Sequence, residues 1–224
     1  MGDRIVIIGN SHFSEIVFEH IIADTDWQVE AFAADKAYIN REFIQGRHVV
    51  AIEDLKNTYR AGDVRLVLAV GYGNGNKTRL KLYEECISLG FNFTNYIHSS
   101  VIRAKNIEMG NGNIIFPGVT IDSFVSIGNG NIVLPQVMVG HDVKIGDFCA
   151  ISGGTLLGGS AEIGDMVFLG MGAIVKDQVS VGANAYVSAS SYVNKSVAEG
   201  QCVIPSKSKY LDERESQIFK EIYQ

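Results

Sequence analysis

The chain is short of cysteine, proline and positive charge. Its 224 residues hold three cysteines, Cys86, Cys149 and Cys202. They have neither metal-type nor disulfide-type spacing, so no metal site is expected and a reducing compartment is. Lysine and arginine number 19 against 25 acidic residues, a formal net charge of −6. The basic surface of a general nucleic-acid binder is therefore missing, although a local basic pocket for phosphates is not excluded. No apolar run is long enough to span a bilayer, and no early one has the flanks of a signal peptide. A cytoplasmic location with no membrane partner is the expectation. Hydrophobic residues at 46% and charged ones at 20% give a globular balance, which excludes wholesale disorder. Three prolines contrast with 24 glycines, of which sixteen fall between residues 101 and 200. That skew divides the chain into two architectures.

The first part alternates strand and helix signals. RIVII (4–8) is an apolar run ending at Gly9. SHFSEIVFEHII follows, with Phe13, Ile16, Val17 and Ile21 at helical spacing, so a strand, a tight turn and a helix are predicted. WQVEAFAAD (27–35) reads as a second strand ending on Asp35, and VRLVLAVGYG (64–73) as a third ending in glycines. TRLKLYEECISLGF then reads as a helix with Leu80, Tyr83 and Ile87 on one side and Gly90 as its stop. Apolar strands alternating with helices predict a small parallel α/β sheet over residues 1–95.

The second part obeys a six-residue rule. From Met109 to Val193, every sixth position is aliphatic or Met: fifteen positions without a register slip. Glycine follows eight of them, at 110, 128, 140, 146, 158, 164, 170 and 182. Two residues before each key position, small or β-branched residues dominate, from Val119 through Cys149 to Ser191. Neither a helix nor a simple strand has this period; a parallel β-helix does, with one short strand and one turn per hexad. The aliphatic residue should point inward, the small one should pack beside it, and glycine should accommodate the corner dihedrals. Cys149, at a small-residue position, is read as core packing. This domain spans 96–200. The tail, 201–224, leaves the repeat, and Leu211, Ile218, Phe219 and Ile222, with Asp212 and Glu215 placed as a capping pair, predict a short amphipathic helix.

Of five histidines only His141 lies within the repeat, at a corner after Gly140 and before Asp142. An imidazole titrates near neutrality, and an adjacent carboxylate orients it and favours the imidazolium formed when it takes a proton. His98, in NYIHSSV, is read as a junction residue. In the first part, the turn GNSHFS (Gly9, Ser11, His12) follows a strand and opens a helix, so its amides and the helix dipole suit a pyrophosphate. The segment GYGNGNKTR offers Gly71, Asn76 and Arg79, with the arginine expected to reach phosphate.

IVIIGNSHFSEIV, FAAD, AVGYGNGNKTR, NYIHSSV, VGHDVKIGDFCAISGG and IGDMVFLGMGAIV together resemble one family, the hexapeptide-repeat bacterial sugar acyltransferases. These include sialic-acid O-acetyltransferases and N-acetyltransferases of amino-sugar nucleotides, such as those of the bacillosamine pathway. The resemblance covers almost the whole chain. It implies a Rossmann-like α/β domain followed by a left-handed parallel β-helix of about five coils, a homotrimer, and acetyl-CoA or another acyl-CoA bound between adjacent β-helices. It implies that His141 is the general base assisted by Asp142, that Gly159, Met171 and Ala189 lie along the CoA arm, and that Asp35 faces the nucleotide. Lys207 in IPSK resembles a closing segment that approaches the CoA phosphates. Two departures stand out: His12 replaces the family's second turn glycine, and Ala150 stands where the bacillosamine-type enzyme has a second histidine.

The expected reaction is acyl transfer to the amine of a UDP- or dTDP-linked amino sugar by direct attack, because no Cys or Ser nucleophile with a neighbouring base is evident. The alternative is O-acetylation of a sialic acid or a similar free sugar. A β-helix metal hydratase needs several coil histidines, and this chain has one. A nucleotidyltransferase needs a longer N-terminal region with a glycine-rich loop and an adjacent basic pair. A scaffold without catalysis would leave His141 without a role.

Overall fold

The structure, a computed structural model, describes residues 2–206 together with 212 and 213. The predicted tail helix and Lys207 lie outside the described residues. Five strands open the chain: β1 (Arg4–Ile8), β2 (Gln28–Ala34), β3 (Phe43–Ile44), β4 (Arg47–Ala51) and β5 (Arg65–Leu68). They form one sheet in the order β3-β4-β2-β1-β5, parallel except for the antiparallel β3–β4 pair. That hairpin was not anticipated from the sequence. Its turn places Gln45 and Gly46 at φ 49° and 70°, the two left-handed residues that a tight hairpin twist asks for.

Helix α1 (His12–Asp24) buries Val17, Phe18 and Ile21, and leaves Ile16 exposed. A short α2 (Leu55–Thr58) precedes β5, and α3 (Lys77–Ser88) follows it. The buried stripe of α3 is Arg79, Leu82 and Cys86, not the predicted Leu80, Tyr83 and Ile87. An arginine on the buried stripe disguised it, and Ile87 is exposed.

From Tyr96 the chain winds into a left-handed parallel β-helix whose strands are two residues long. Face 1 carries seven strands, from Tyr96–Ile97 to Cys202–Val203. Face 2 carries six, from Ile102–Arg103 to Tyr192–Val193, and face 3 five, from Glu108–Met109 to Ser180–Val181. Neighbouring coils pair 18 residues apart, as Ile115 with Val133 and Val133 with Ile151. The key aliphatic residues from Ile115 to Val193 are all buried, as the hexad rule requires. Each contributes roughly 1.5–3 kcal/mol of burial free energy. The stack exceeds the expected five coils because a turn precedes the repeat: Ile97 keeps the phase, and Arg103 breaks it. At the other end Val181 bridges Val197 and Tyr186 pairs with Cys202, so the last turn is two residues shorter than the others.

The role expected of the repeat's glycines is corrected. The left-handed residue of each corner lies three after the key position, and it is glycine at 112, 118, 130, 154 and 172. At Phe124, Gln136, Asp142, Phe148, Ser160, Met166, Gln178, Asn184 and Ser190 the same backbone, φ 55–62°, carries a side chain. The glycines directly after the key positions meet a different demand. A Cβ on Gly140 would lie 2.9 Å from Gly159 N and Leu157 O, and one on Gly164 would lie 2.6 Å from Ala183 N. They are small because the next coil passes against them.

The α/β layer packs on face 1. The outward residues Tyr96, Ile114 and Ile132 join Phe116 in a core shared with Val17, Phe18 and Ile21 of α1. Phe148 joins Leu82, Cys86, Phe91 and Phe93. Among the described residues, no helix is long and apolar enough to cross a membrane.

Candidate active site

His141 and Asp142 turn the corner between faces 2 and 3, after the strand Met138–Val139 and before Lys144–Ile145. Asp142 has φ 56°, and the left-handed step breaks the alternation that would send adjacent side chains apart. Its Oδ2 lies 2.8 Å from His141 Nδ1. The pair is open to solvent, with side chains 62% and 54% exposed. A carboxylate at Nδ1 holds the proton there and leaves Nε2 as the free base. The hydrogen bond to Asp142 raises the imidazole above its ordinary pKa, and the charges of Asp142, Asp122 and Asp177 act in the same direction.

One coil further on, Gly159 lies under the ring. A Cβ there would stand 2.6 Å from His141 Nε2, so only glycine lets the imidazole occupy this place. The Gly159 amide donates to Asp177 Oδ1 at 2.9 Å. Met171 and Ala189, both exposed, follow each other on the corner between faces 1 and 2. A single chain therefore keeps them on a different edge from His141 and Gly159, with face 2 between.

A cleft of 440 Å³ opens at the C-terminal ends of β1, β2 and β5. Gly9, Asn10 and Ser11 form one side, Asp35 and Tyr38 another, and Asn74, Thr78 and Lys81 the third. Gly9 has φ 132°, and a Cβ on it would collide with the Ala69 carbonyl. Ser11 is the N-cap of α1, so the first amides of that helix face the cleft's floor. Asp35 accepts from Lys81 Nζ and from the Ala37 amide, both at 3.1 Å, and these bonds, Lys81 first, hold its carboxyl below the usual range. Lys81 and Tyr38 were missed from sequence. Neither has a motif, and only the meeting of α3 with the end of β2 brings them in.

His12 and Gly71 are not in the cleft lining; His12 is exposed on the first turn of α1. Arg79 and Asn76 are corrected outright. Both are buried, and the guanidinium donates to backbone carbonyls of the β-helix rather than reaching a phosphate. The spacing GYGNGNKTR placed Arg79 near the loop, but the step of about 100° from Thr78 to the next helical position turns it away from the cleft and onto the coils. His98 bonds Ser100 Oγ and lies beside Asp24, at the junction of α1 with the first coil. Cys149 is buried, and burial pushes its thiol up to about 12, which leaves it inert. Ala150 is buried on face 1. Among the described residues no group of three His, Cys, Asp or Glu side chains could hold a metal ion.

A triangular β-helix of hexads, carrying a histidine–carboxylate pair on one edge and an α/β layer on one face, has the build of a hexapeptide-repeat acyltransferase. Residues 124–159 match the family model described as bacterial transferase hexapeptide (six repeats). No curated protein sequence matches the chain. Among solved structures it is similar to PerB, the perosamine N-acetyltransferase of Caulobacter crescentus, in complex with CoA and GDP-perosamine. The identity is 27% over 94% of this chain and 98% of that one, with a TM-score of 0.78. The Caulobacter enzyme is also solved with a histidine replaced by asparagine or alanine. The acetyltransferase domain of PglB from Neisseria gonorrhoeae, at 22% identity over 94% and 100% with a TM-score of 0.81, shares the fold. WeeI from Acinetobacter baumannii does so at 22% over 92% and 99%, with a TM-score of 0.78. Residues 124–159 thus carry the bacterial transferase hexapeptide signature, and the chain as a whole is similar to a sugar N-acetyltransferase, so the resemblance to the sugar-modifying hexapeptide acyltransferases holds.

Proposed function

We propose that the chain transfers the acyl group of an acyl-CoA, acetyl in the first instance, to the amine of a nucleotide-linked amino sugar, with His141 as general base. The observation that carries this reading is the set of charges at the corner. An amino sugar arrives largely as its ammonium ion, and Asp122, Asp142 and Asp177 attract a cation where a hydroxyl would gain nothing. The bound ammonium first releases one proton to solvent, which frees the nitrogen lone pair, and His141 Nε2 takes a second proton as the amine attacks the thioester carbonyl. The tetrahedral intermediate then collapses, the C–S bond breaks, and the proton passes to the departing thiolate, giving an amide and CoA. The Gly159, Met171 and Ala189 corners would carry the CoA arm. The cleft at Gly9, Ser11 and Asp35 would hold the nucleotide, its diphosphate on the first amides of α1.

The cleft sits over face 1, and His141 lies on the edge between faces 2 and 3, which a triangular section puts opposite face 1. A complete site therefore takes its cleft from one protomer and its histidine from another. Face 2 supports a covering partner: its outward column runs Ile102, Thr120, Met138, Leu156, Ile174, Tyr192, and four of these large apolar side chains are exposed. The column on face 3 is Glu108, Ser126, Lys144, Glu162, Ser180. A homotrimer closing about face 2 meets both demands.

The test is acetyl-CoA turnover with UDP-, dTDP- and GDP-linked amino sugars against the free amino sugars and a free sialic acid. Indifference to the nucleotide, or preference for the sialic-acid hydroxyl, defeats the reading. His141→Ala should lower turnover by roughly 10²–10⁴-fold, the usual cost of a lost general base, with the oligomer intact on gel filtration.

A further inference from the structure

The coil-to-coil backbone ladder uses the carbonyl just before each left-handed corner residue: Asp142 N donates to Ser123 O, and Ser160 N to His141 O. The carbonyls of the left-handed residues themselves stay outside that ladder. On the edge between faces 3 and 1, Gly130, Phe148 and Met166 present a column of them, one per coil, 18 residues apart. Two side chains of the α/β layer read this column. Arg79 Nε donates to Gly130 O at 2.8 Å, and Nη2 to Phe148 O at 2.6 Å and Cys149 O at 3.0 Å. Asn76 Nδ2 donates to Met166 O at 3.1 Å, and its Oδ1 accepts from Arg79 Nη1 at 3.2 Å. Three successive coils are gripped by one fork and its neighbour.

This is a costly way to join two layers. Arg79 is fully buried, and among the described residues no carboxylate is a hydrogen-bond partner of it. Burial lowers its pKa to about 10, which still leaves a cation at neutral pH. Well-packed apolar side chains generally stabilise such a contact as well as a buried charge does. A rigid planar fork adds a single permitted height and rotation. The same helical turns form the cleft: Thr78 and Lys81 face it, while Asn76 and Arg79 face the coils.

We propose that Arg79, seconded by Asn76, is a positioning residue that fixes the nucleotide cleft in register with the coils, and so sets where the acceptor amine meets the histidine edge of a neighbouring protomer. The inference rests on the reading given under the proposed function. Displacing a reacting atom by an ångström costs about 10²-fold in rate without touching the binding groups themselves.

The experiment compares wild type with Arg79→Met, Arg79→Lys and Asn76→Ala. It measures kcat at saturating acetyl-CoA and nucleotide-linked amino sugar, the sugar's Kd by calorimetry, and thermal unfolding. Arg79→Met should bind the sugar within about threefold of wild type and lose roughly 10–100-fold in kcat. Arg79→Lys should fall between the two, because an ammonium cannot span the carbonyl column. If Arg79→Met fails to fold, Asn76→Ala should show the same division, about 3–10-fold in kcat with Kd unchanged. A kcat equal to wild type per folded protein, or a loss of sugar binding in step with kcat, overturns the proposal. Failure of the wild type to use any nucleotide-linked sugar overturns the underlying reading instead.

Discussion

His141 acts through its neighbours, and each neighbour makes a separate demand. Asp142 must be left-handed to reach Nδ1, and Gly159 must lack a Cβ for Nε2 to have room. A general base must be neutral to accept a proton, so kcat should rise with pH through the imidazole's pKa. That pKa lies above the ordinary imidazole value because the hydrogen bond to Asp142 and the nearby carboxylates favour the cation. Removing the charge of Asp142 reverses the shift: in Asp142→Asn the acid limb of the kcat–pH profile should move to lower pH, while kcat on the plateau falls because the ring loses its orientation. An unmoved limb would assign it to another group. His141 was legible in the sequence because the repeat isolates it: one imidazole at a corner, followed by an acid. Arg79 was not legible as a clamp. Its partners on the β-helix lie 51 to 70 residues away, and they are backbone carbonyl oxygens, which every residue has.

At the scale of the coil, the period could be read at once, since a six-residue rhythm needs only one inward side chain per face. The reason for each glycine could not. Composition does not separate a residue that is small for clearance from one that is glycine for its φ; the two sites lie two positions apart in the hexad. The distinction predicts opposite outcomes for simple substitutions. Gly146 has an ordinary φ, yet a Cβ on it would strike the Asp165 carboxylate and lie 2.9 Å from that residue's amide. Gly146→Ala should lower stability by about 1–3 kcal/mol, the usual cost of overpacking. Gln178 holds φ 60° with an exposed side chain. Glycine there relieves about 1–2 kcal/mol of left-handed strain and loses about 0.5–1 kcal/mol of backbone entropy. Gln178→Gly should therefore raise the thermal unfolding midpoint slightly. A fall for Gln178→Gly, or no change for Gly146→Ala, would show that the corners are governed by something other than φ and clearance.

For the whole molecule, the outward columns decide what each face meets. Face 1 begins Tyr96, Ile114, Ile132, Ala150 and lies under the α/β layer, while face 3 carries charged residues and serine, and its Lys144 and Glu162 pair at 2.8 Å. This pattern was present in the sequence at the position before each key aliphatic, but only the three-sided winding shows which of those positions share a face. The β3–β4 hairpin escaped for a related reason: a two-residue strand carries too little alternation to register. The winding also places the cleft and His141 on opposite sides of one chain, which can be tested by mixing defects. Thr78→Trp fills the cleft and leaves the histidine edge intact; His141→Ala does the reverse. In the proposed trimer, each variant on its own should be inactive. In trimers co-assembled from equal amounts of the two, a site built between protomers is intact when an unfilled cleft meets an unaltered histidine. Random pairing gives about one quarter of wild-type activity. A site built within one chain would recover none, because every chain carries one defect. The yield should follow the product of the two variants' fractions away from equality, falling off symmetrically as either variant comes to dominate, which separates true complementation from leakage by one weakly active variant.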